Sequence, residues 1–136
     1  MLEKKNRDDV NHTIVFFEIP ADDVARMKDF YKAVFDWKAI DVPDQDMEYT
    51  IFHTVPTDEK GMLKEPGVNG GLYKRKDIAQ VPVNYIQVES IGDYLDKALM
   101  NGGKVLMAKM AVPGRGFVAW IADPEGNPLG LIQPEV

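Results

Sequence analysis

The stretch that decides the fold is IVFFEIPADDVARMKDFYKAVFDW, residues Ile14 to Trp37. It opens with β-branched and aromatic residues and stops that pattern at Pro20, which is typical of a strand buried on both faces. After a Pro-Ala-Asp-Asp junction, apolar residues recur at steps of three and four, which predicts one amphipathic helix with Asp22 and Asp23 in its first turn. Asp36 stands where a helix commonly ends on glycine, and aspartate also adopts the left-handed conformation needed there.

A similar unit recurs in the second half of the chain. VNYIQVESIGDYLDKALMNGG, residues 83–103, reads as a strand that runs straight into a second amphipathic helix. Ser90 with Asp93 three residues later resembles a capping box, and the Asn-Gly-Gly at the end of the stretch stops the helix. DPEGN, residues 123–127, predicts a hairpin turn before the last strand. Three strands are predicted after each helix: 38–42, 47–55 and 68–73, then 104–107, 117–122 and 128–133.

These elements predict two β-α-β-β-β modules, at about 12–77 and 83–134. The chain has 136 residues, which fits one domain, and we place that domain at 12–136 after a flexible N-terminal tail at 1–11. The fold class is α+β. The polar residues 56–67 predict a loop, long enough to be either a flexible tip or a cover over a pocket.

Composition excludes several classes of function. The net charge is -6 and there are no cysteines, so neither a nucleic-acid surface nor disulfides, thiolate metal sites or cysteine nucleophiles are expected. No apolar run approaches the roughly 18 residues of a membrane span, and the first residues lack the apolar core of a secretory signal. We therefore expect a cytoplasmic protein without nucleic-acid or membrane partners.

The order of these motifs resembles one family. The paired β-α-β-β-β plan, Phe30-Tyr31 and Trp37 around the end of the first helix, the Asn-Gly-Gly after the second helix and the DPEGN turn are together similar to the vicinal oxygen chelate superfamily. That superfamily includes glyoxalase I, bleomycin-resistance proteins and extradiol dioxygenases. The resemblance implies a curved, cup-shaped mixed sheet with helices on its outer face, a homodimer, and a small substrate bound in the cup with a divalent metal.

The resemblance also implies where metal ligands would lie, on the first and last strands of each half. Those positions fall at Ile14 and Val83 on the first strands, at Gly130 on the last strand of the second half, and near Gly70-Gly71 in the first half. None of these side chains is a carboxylate or an imidazole, the ligands that divalent metals require. We therefore expect no metal cofactor.

Three polar residues are the candidates that remain for chemistry. Glu18 and Gln87 occupy equivalent positions on the first strands of the two halves. A carboxylate in an apolar cup can act as a general base or bind a cationic group, although Glu18 can also be a strand end in water. His53 can exchange a proton near neutral pH or serve as a hydrogen-bonded structural residue, and a slip in strand register would make His12 a ligand.

Further residues are candidate ligand contacts. Tyr49, Tyr85 and Trp120 combine an apolar ring with a polar tip, which suits either the lining of a cup or the core. Arg115 stands between two glycines, where it can meet an anionic group or remain solvated.

The first functional hypothesis is a glyoxalase-like protein that binds a small organic molecule in an apolar cup without a metal, with any chemistry left open. The alternative is a metal-dependent lyase, isomerase or dioxygenase whose ligands have moved to Glu18, His53 and Gln87. A purely structural partner domain is a third possibility.

Overall fold

The computed structural model describes residues 10–43 and 48–134. Most of the N-terminal tail predicted at 1–11 therefore lies outside the described residues. By its internal contacts the chain divides into two compact units. Of the described residues, 16–43 and 48–82 form the first unit, and 10–15 with 83–134 form the second.

The first unit contains one helix and a mixed sheet. Its strands lie in the order β2, β3, β4, β1. Strand β1 pairs parallel to β4, whereas β3 pairs antiparallel to both β2 and β4. In chain order the elements are β1 (Ile14–Ala21), α1 (Val24–Phe35), β2 (Lys38–Asp41), β3 (Tyr49–His53) and β4 (Asn69–Lys74).

Aspartates cap helix α1 at both ends. Asp23 is extended and its side chain accepts a hydrogen bond from the backbone N–H of Arg26, so it caps the helix from outside its first turn. The prediction that placed Asp22 and Asp23 inside the first turn is wrong by one or two residues, since the helix begins at Val24. Asp23 is favoured just before the helix because its side-chain oxygen accepts from a backbone N–H that would otherwise lack a partner. Asp36 has φ 58°, which confirms the left-handed stop.

The first core packs α1 on one face of this sheet. Ala21, Val24, Phe52 and Leu72 are buried there, with Phe17 and Ile19 of β1 packed against them. Tyr31 and Trp37 stack nearly in parallel with ring centroids 4.9 Å apart. Tyr31 and Trp37 therefore pack against the core, as their spacing predicts. Phe30 and Phe35 are 52% and 56% exposed, so the same prediction is wrong for these two residues.

The second unit repeats the plan. Its strands lie in the order β5, β8, β7, β6, with β5 parallel to β8 and the remaining pairs antiparallel. Its elements are β5 (Val83–Gln87), α2 (Ile91–Met100), β6 (Lys104–Val112), β7 (Gly116–Ala122) and β8 (Pro128–Gln133). The Ser90 side chain accepts from the Asp93 N–H, so the predicted cap at the start of α2 is confirmed.

One strand and one loop are described by the structure in more detail than the sequence predicts. β6 was predicted to end at residue 107 but continues to Val112, with register shifts against β7 on either side of Met107 that interrupt the alternation. The loop after β3 is ordered by local contacts: Thr57 and Leu63 form an isolated bridge, and the Asp58 carboxylate accepts from the Met62 N–H.

Each unit thus places one helix on one face of a four-stranded mixed sheet. The α+β class with two β-α-β-β-β modules is confirmed. In the part of the chain that the structure describes, no helix is long and apolar enough to cross a membrane.

Candidate functional site

In the first unit, the predicted residues lie on the sheet face opposite α1. Residues alternate between the two faces of a strand. Because Phe17, Phe52 and Leu72 pack toward α1, their strand neighbours take the other face. Those neighbours include Glu18 of β1, Tyr49 and His53 of β3, and Gly71 and Tyr73 of β4.

Glu18 and Tyr49, predicted for separate roles, are brought together. The Tyr49 hydroxyl donates to Glu18 Oε2 at 2.8 Å, and both residues are half-buried. The contact is possible because residue 71, the neighbour of Glu18 across the β1–β4 pair, is a glycine. A Cβ at Gly71 would lie 2.0 Å from the Tyr49 hydroxyl oxygen. The Tyr49 ring therefore occupies the space of a side chain at residue 71.

Tyr73 belongs to the same face and was not singled out from the sequence. It is the register partner of Tyr49 and only 4% exposed. Its hydroxyl is buried without a hydrogen-bond partner among residues 10–43 and 48–134. Burial raises the pKa of Tyr73, the negative charge of Glu18 raises it further, and Arg75 opposes both. The signal in the sequence was the alternation from Gly71, which puts Tyr73 on the same face.

His53 lies at the end of β3 opposite Lys38 of β2. It is half-buried on the same face as Glu18. Its predicted catalytic role stays a prediction.

In the second unit, the face opposite α2 carries the corresponding residues. Tyr85 and Gln87 of β5 alternate with Ile86, which packs toward α2, and Trp120 of β7 lies on the same face as Tyr85. Trp120 Nε1 donates to the Tyr85 hydroxyl at 2.7 Å. The pair of predicted ligand contacts Tyr85 and Trp120 is thus a hydrogen-bonded pair.

Tyr85 also covers a glycine. Gly130 is its register partner across the β5–β8 pair. A Cβ at Gly130 would lie 2.4 Å from Tyr85 Cδ2. The position where the family resemblance implied a last-strand ligand is therefore filled by an aromatic ring, as it is at Gly71.

The other predicted positions have ordinary surroundings. The backbone N–H of Gln87 donates to the Thr13 carbonyl, and its side chain is half-buried. Arg115 is exposed in the turn before β7. Of the two first-strand positions implied for metal ligands, Val83 is 3% exposed and Ile14 is 46% exposed.

His12 has a structural partner that sequence reasoning missed. Its Nε2 lies 2.8 Å from Glu89 Oε2 and 2.9 Å from the Tyr94 hydroxyl, which also donates to Glu89 Oε1 at 2.6 Å. The hydrogen bonds from Tyr94 and then His12 lower the pKa of Glu89 to about 2. The cluster joins the segment before β1 to the start of α2.

Two further features of the described residues are relevant. Within residues 10–43 and 48–134, no three His, Asp or Glu side chains form a group that could hold a metal ion. A depression of about 310 Å³ opens beside the start of α1. It is lined by Pro20, Ala21, Asp22, Asp23, Arg26, Met27, Phe30 and Arg75. None of the predicted site residues lines it.

Comparison with known proteins places this geometry in a family. The family model of the Glyoxalase/Bleomycin resistance protein/Dioxygenase superfamily matches residues 10–131. The chain belongs to this superfamily. No curated protein matches the chain.

Solved structures share the superfamily fold at low identity. Methylmalonyl-CoA epimerase from Mycobacterium tuberculosis aligns with a TM-score of 0.65 and 11% identity, over 93% of this chain and 90% of the epimerase. A hypothetical protein from Bacillus halodurans aligns with a TM-score of 0.64 and 14% identity, over 92% and 96% of the two chains. The 2,3-dioxygenase LapB from Pseudomonas sp. KL28 gives 0.61 and 12%, over 90% of this chain and 42% of LapB. At these identities the likeness concerns the fold alone.

The first unit of this superfamily member therefore presents a carboxylate that accepts a hydrogen bond from a phenol, on the same sheet face as a second, buried phenol. A carboxylate that accepts a hydrogen bond from tyrosine can bind a cationic group or take a proton from a bound molecule. The second unit presents an aromatic pair without a charged member, which suits apolar or stacking contacts.

Proposed function

We propose that this protein binds a small organic molecule, and that it does so without the divalent metal used by many members of its superfamily. The observation that carries the proposal is the pair of rings over glycines. Tyr49 fills the side-chain space at Gly71, and Tyr85 fills it at Gly130. A metal-ligating carboxylate at either position would have to displace a tyrosine that is itself hydrogen-bonded.

The polar groups supporting binding lie mainly in the first unit. Glu18 and Tyr49 are part-exposed on the face opposite α1, and this exposure supports their proposed role as ligand contacts. In the second unit, Tyr85, Gln87, Trp120 and Arg115 remain predicted ligand contacts. Binding sites typically combine apolar surface with a few convergent polar groups, and this is the character of the first-unit face.

Metal analysis of protein purified without chelator tests the metal-free part of the proposal. After dialysis, we expect far less than one equivalent of any transition metal per chain. A stoichiometric metal that survives dialysis would contradict the proposal. Glu18→Gln and His53→Ala serve as the matched variants, since a real site built on these residues would lose its metal in both.

A second candidate is a metal-dependent lyase, isomerase or dioxygenase with displaced ligands, of which Glu18 and His53 lie in the first unit. The observation that favours it is the position of Glu18 and His53 on one face of the first unit. Zinc or nickel titration followed by the His53 imidazole resonances distinguishes the two candidates. A shift at His53 that saturates near one equivalent supports the displaced metal site, and an unchanged imidazole rejects it.

We also propose a homodimer and a cytoplasmic location, as the family resemblance and the composition led us to expect. Sedimentation velocity over a range of protein concentrations checks the first, with a single species of twice the chain mass as the expected result.

A further inference from the structure

We propose that Asn101, at the C-terminal end of α2, is a modification site at which the native chain deamidates spontaneously. The chain contains the sequence Asn-Gly-Gly twice, at residues 69–71 and 101–103. The two copies share the same local chemistry, so a large difference in their reactivity has to come from the folded structure. Deamidation at Asn101 is independent of the ligand binding proposed above.

Deamidation of an Asn-Gly pair needs no enzyme or cofactor. The backbone nitrogen of the glycine gives up its proton to solvent and attacks Cγ of the asparagine, and the side-chain nitrogen takes up a proton and leaves as ammonia. Water then opens the resulting succinimide ring at either carbonyl carbon, which gives aspartate or isoaspartate. The net reaction consumes one water and releases one ammonia. Glycine favours it because it has no Cβ to obstruct the approach of its nitrogen.

Asn101 is accessible to the solvent that this reaction requires. It is exposed and caps the end of α2. Its Nδ2 donates to the carbonyl oxygen of Lys97 at 2.7 Å. Hydrogen bonds at the end of a helix open at little cost in free energy compared with those of a core strand. The side-chain amide is therefore released without unfolding the second unit.

The backbone nitrogen of Gly102 is weakly held. It donates to the Leu99 carbonyl at 3.5 Å, which is longer than the roughly 2.9–3.0 Å of a typical N–H···O bond. Gly102 has φ 90°, and glycine adopts negative φ as readily. The peptide plane between Asn101 and Gly102 can therefore turn over and bring this nitrogen toward Cγ. The Gly103 N–H meanwhile keeps its 2.8 Å bond to the Ala98 carbonyl.

Asn69, in the other copy of the sequence, is fixed by the fold. It is 8% exposed, its Oδ1 accepts from the Thr54 N–H at 2.8 Å, and its Nδ2 donates to Thr57 Oγ1 at 2.9 Å. Gly70 is paired with both β1 and β3, and a Cβ there would lie 2.3 Å from Phe17 Cε1. Turning this peptide plane would break the pairing of β4, so deamidation at Asn69 requires a much larger opening of the first unit.

Deamidation changes the end of α2 in two ways. A carboxylate at residue 101 cannot donate to the Lys97 carbonyl, and it adds a negative charge at the negative end of the helix dipole. Isoaspartate also lengthens the main chain just before Gly103. A Cβ at Gly103 would lie only 2.7 Å from the Ala122 carbonyl oxygen, so little space is available for a shifted backbone. We therefore expect the modified chain to be less stable.

Mass spectrometry of the aged full-length chain tests the proposal. One sample is incubated in its native state at mildly alkaline pH, and a second in guanidinium chloride until both asparagines have converted. Trypsin releases the two sites in separate peptides, residues 65–74 and 98–104, and the conversion of amide to carboxyl is measured in each. With each native rate divided by the rate at the same site in guanidinium chloride, we expect Asn101 to convert at least about tenfold faster than Asn69.

Two variants serve as controls. Asn101→Gln keeps the amide on a longer side chain and should abolish conversion in the peptide 98–104. Asn101→Asp reproduces one product and should lower the urea unfolding midpoint, whereas an unchanged midpoint overturns the expected loss of stability. Equal relative rates at the two asparagines in the native protein overturn the proposal. It is also overturned if Asn101 stays unmodified in the native protein over the time in which it converts in guanidinium chloride.

Discussion

Replacing Gly130 with alanine inserts one methyl group beneath a buried ring. The new Cβ would lie 2.4 Å from Tyr85 Cδ2, 2.6 Å from Cε2 and 2.7 Å from Cγ, all well inside van der Waals contact. These atoms belong to the base and edge of the ring, so a small rotation of the side chain does not clear them. Tyr85 is 5% exposed and has little room to move.

The expected loss of stability follows from two contributions. Overpacking a core by one methyl group costs about 1–3 kcal/mol. A displaced Tyr85 also loses the hydrogen bond from Trp120, which contributes about 0.5–1.5 kcal/mol. We therefore expect Gly130→Ala to lower the free energy of unfolding by about 2–4 kcal/mol, a large fraction of the stability of an ordinary domain.

Equilibrium unfolding in urea measures this change. Tryptophan fluorescence is a suitable signal because Trp120 is the hydrogen-bond partner of Tyr85, and circular dichroism at far-ultraviolet wavelengths gives an independent second probe. Coincident transitions from the two probes justify a two-state fit. Gly92→Ala is the matched control, since a Cβ at this position in α2 meets nothing within 4 Å. We expect it to stabilise the protein by about 0.5–1 kcal/mol.

A double-mutant cycle with Tyr85→Ala tests the cause. Without the ring, Gly130→Ala should be nearly neutral, giving a coupling energy of about 2–4 kcal/mol between the two positions. A coupling energy below about 0.5 kcal/mol would falsify the claim that Tyr85 occupies the side-chain space at residue 130.

Three further predictions concern stability. The pKa of Glu89 is lowered from 4.5 to about 2 by Tyr94 and His12. This carboxylate therefore stabilises the fold above pH 4.5, and its contribution to stability is lost as the pH falls toward 2. Urea unfolding midpoints measured from pH 7 downward should accordingly drop less steeply in Glu89→Gln than in the unmodified protein. Asn69 is buried, and its side chain accepts a hydrogen bond from the Thr54 N–H at 2.8 Å. Asn69→Ala should therefore lower the free energy of unfolding by about 1–3 kcal/mol and speed amide hydrogen exchange in residues 54–63. Unchanged exchange in these residues would count against the anchoring role of Asn69. Asp36 has φ 58°, a conformation that glycine adopts without strain. Asp36→Gly should therefore raise the melting temperature by relieving about 1 kcal/mol of backbone strain. A lower melting temperature would contradict this interpretation.

The architecture was predictable because it depends on local signals. The helix stop at Asp36, the cap at Ser90 and the alternation along each strand are all properties of a few neighbouring residues. The extent of β6 was not predictable, because its register shifts on either side of Met107 break the alternation that defines a strand.

The residues of the candidate site could be predicted from the sequence, but the contacts between them could not. Glu18 and Tyr49 were both singled out, yet their hydrogen bond depends on the register of β1 against β4 and of β3 against β4, which no local pattern specifies. The close approach of the Tyr49 and Tyr85 rings to Gly71 and Gly130 is a consequence of the same non-local register.

The two units use the same pairing of a tyrosine with a glycine, but the direction of the hydrogen bond differs. In the first unit the Tyr49 phenol donates to the carboxylate of Glu18, so the hydrogen-bond partner of that tyrosine is an acid. In the second unit the phenol oxygen of Tyr85 accepts from Trp120, so the hydrogen-bond partner of that tyrosine is an indole. Exchange of a charged partner for an aromatic one changes what each face can recognise. Substitutions at Glu18 are therefore expected to change the affinity for charged ligands, and substitutions at Trp120 the affinity for apolar ones.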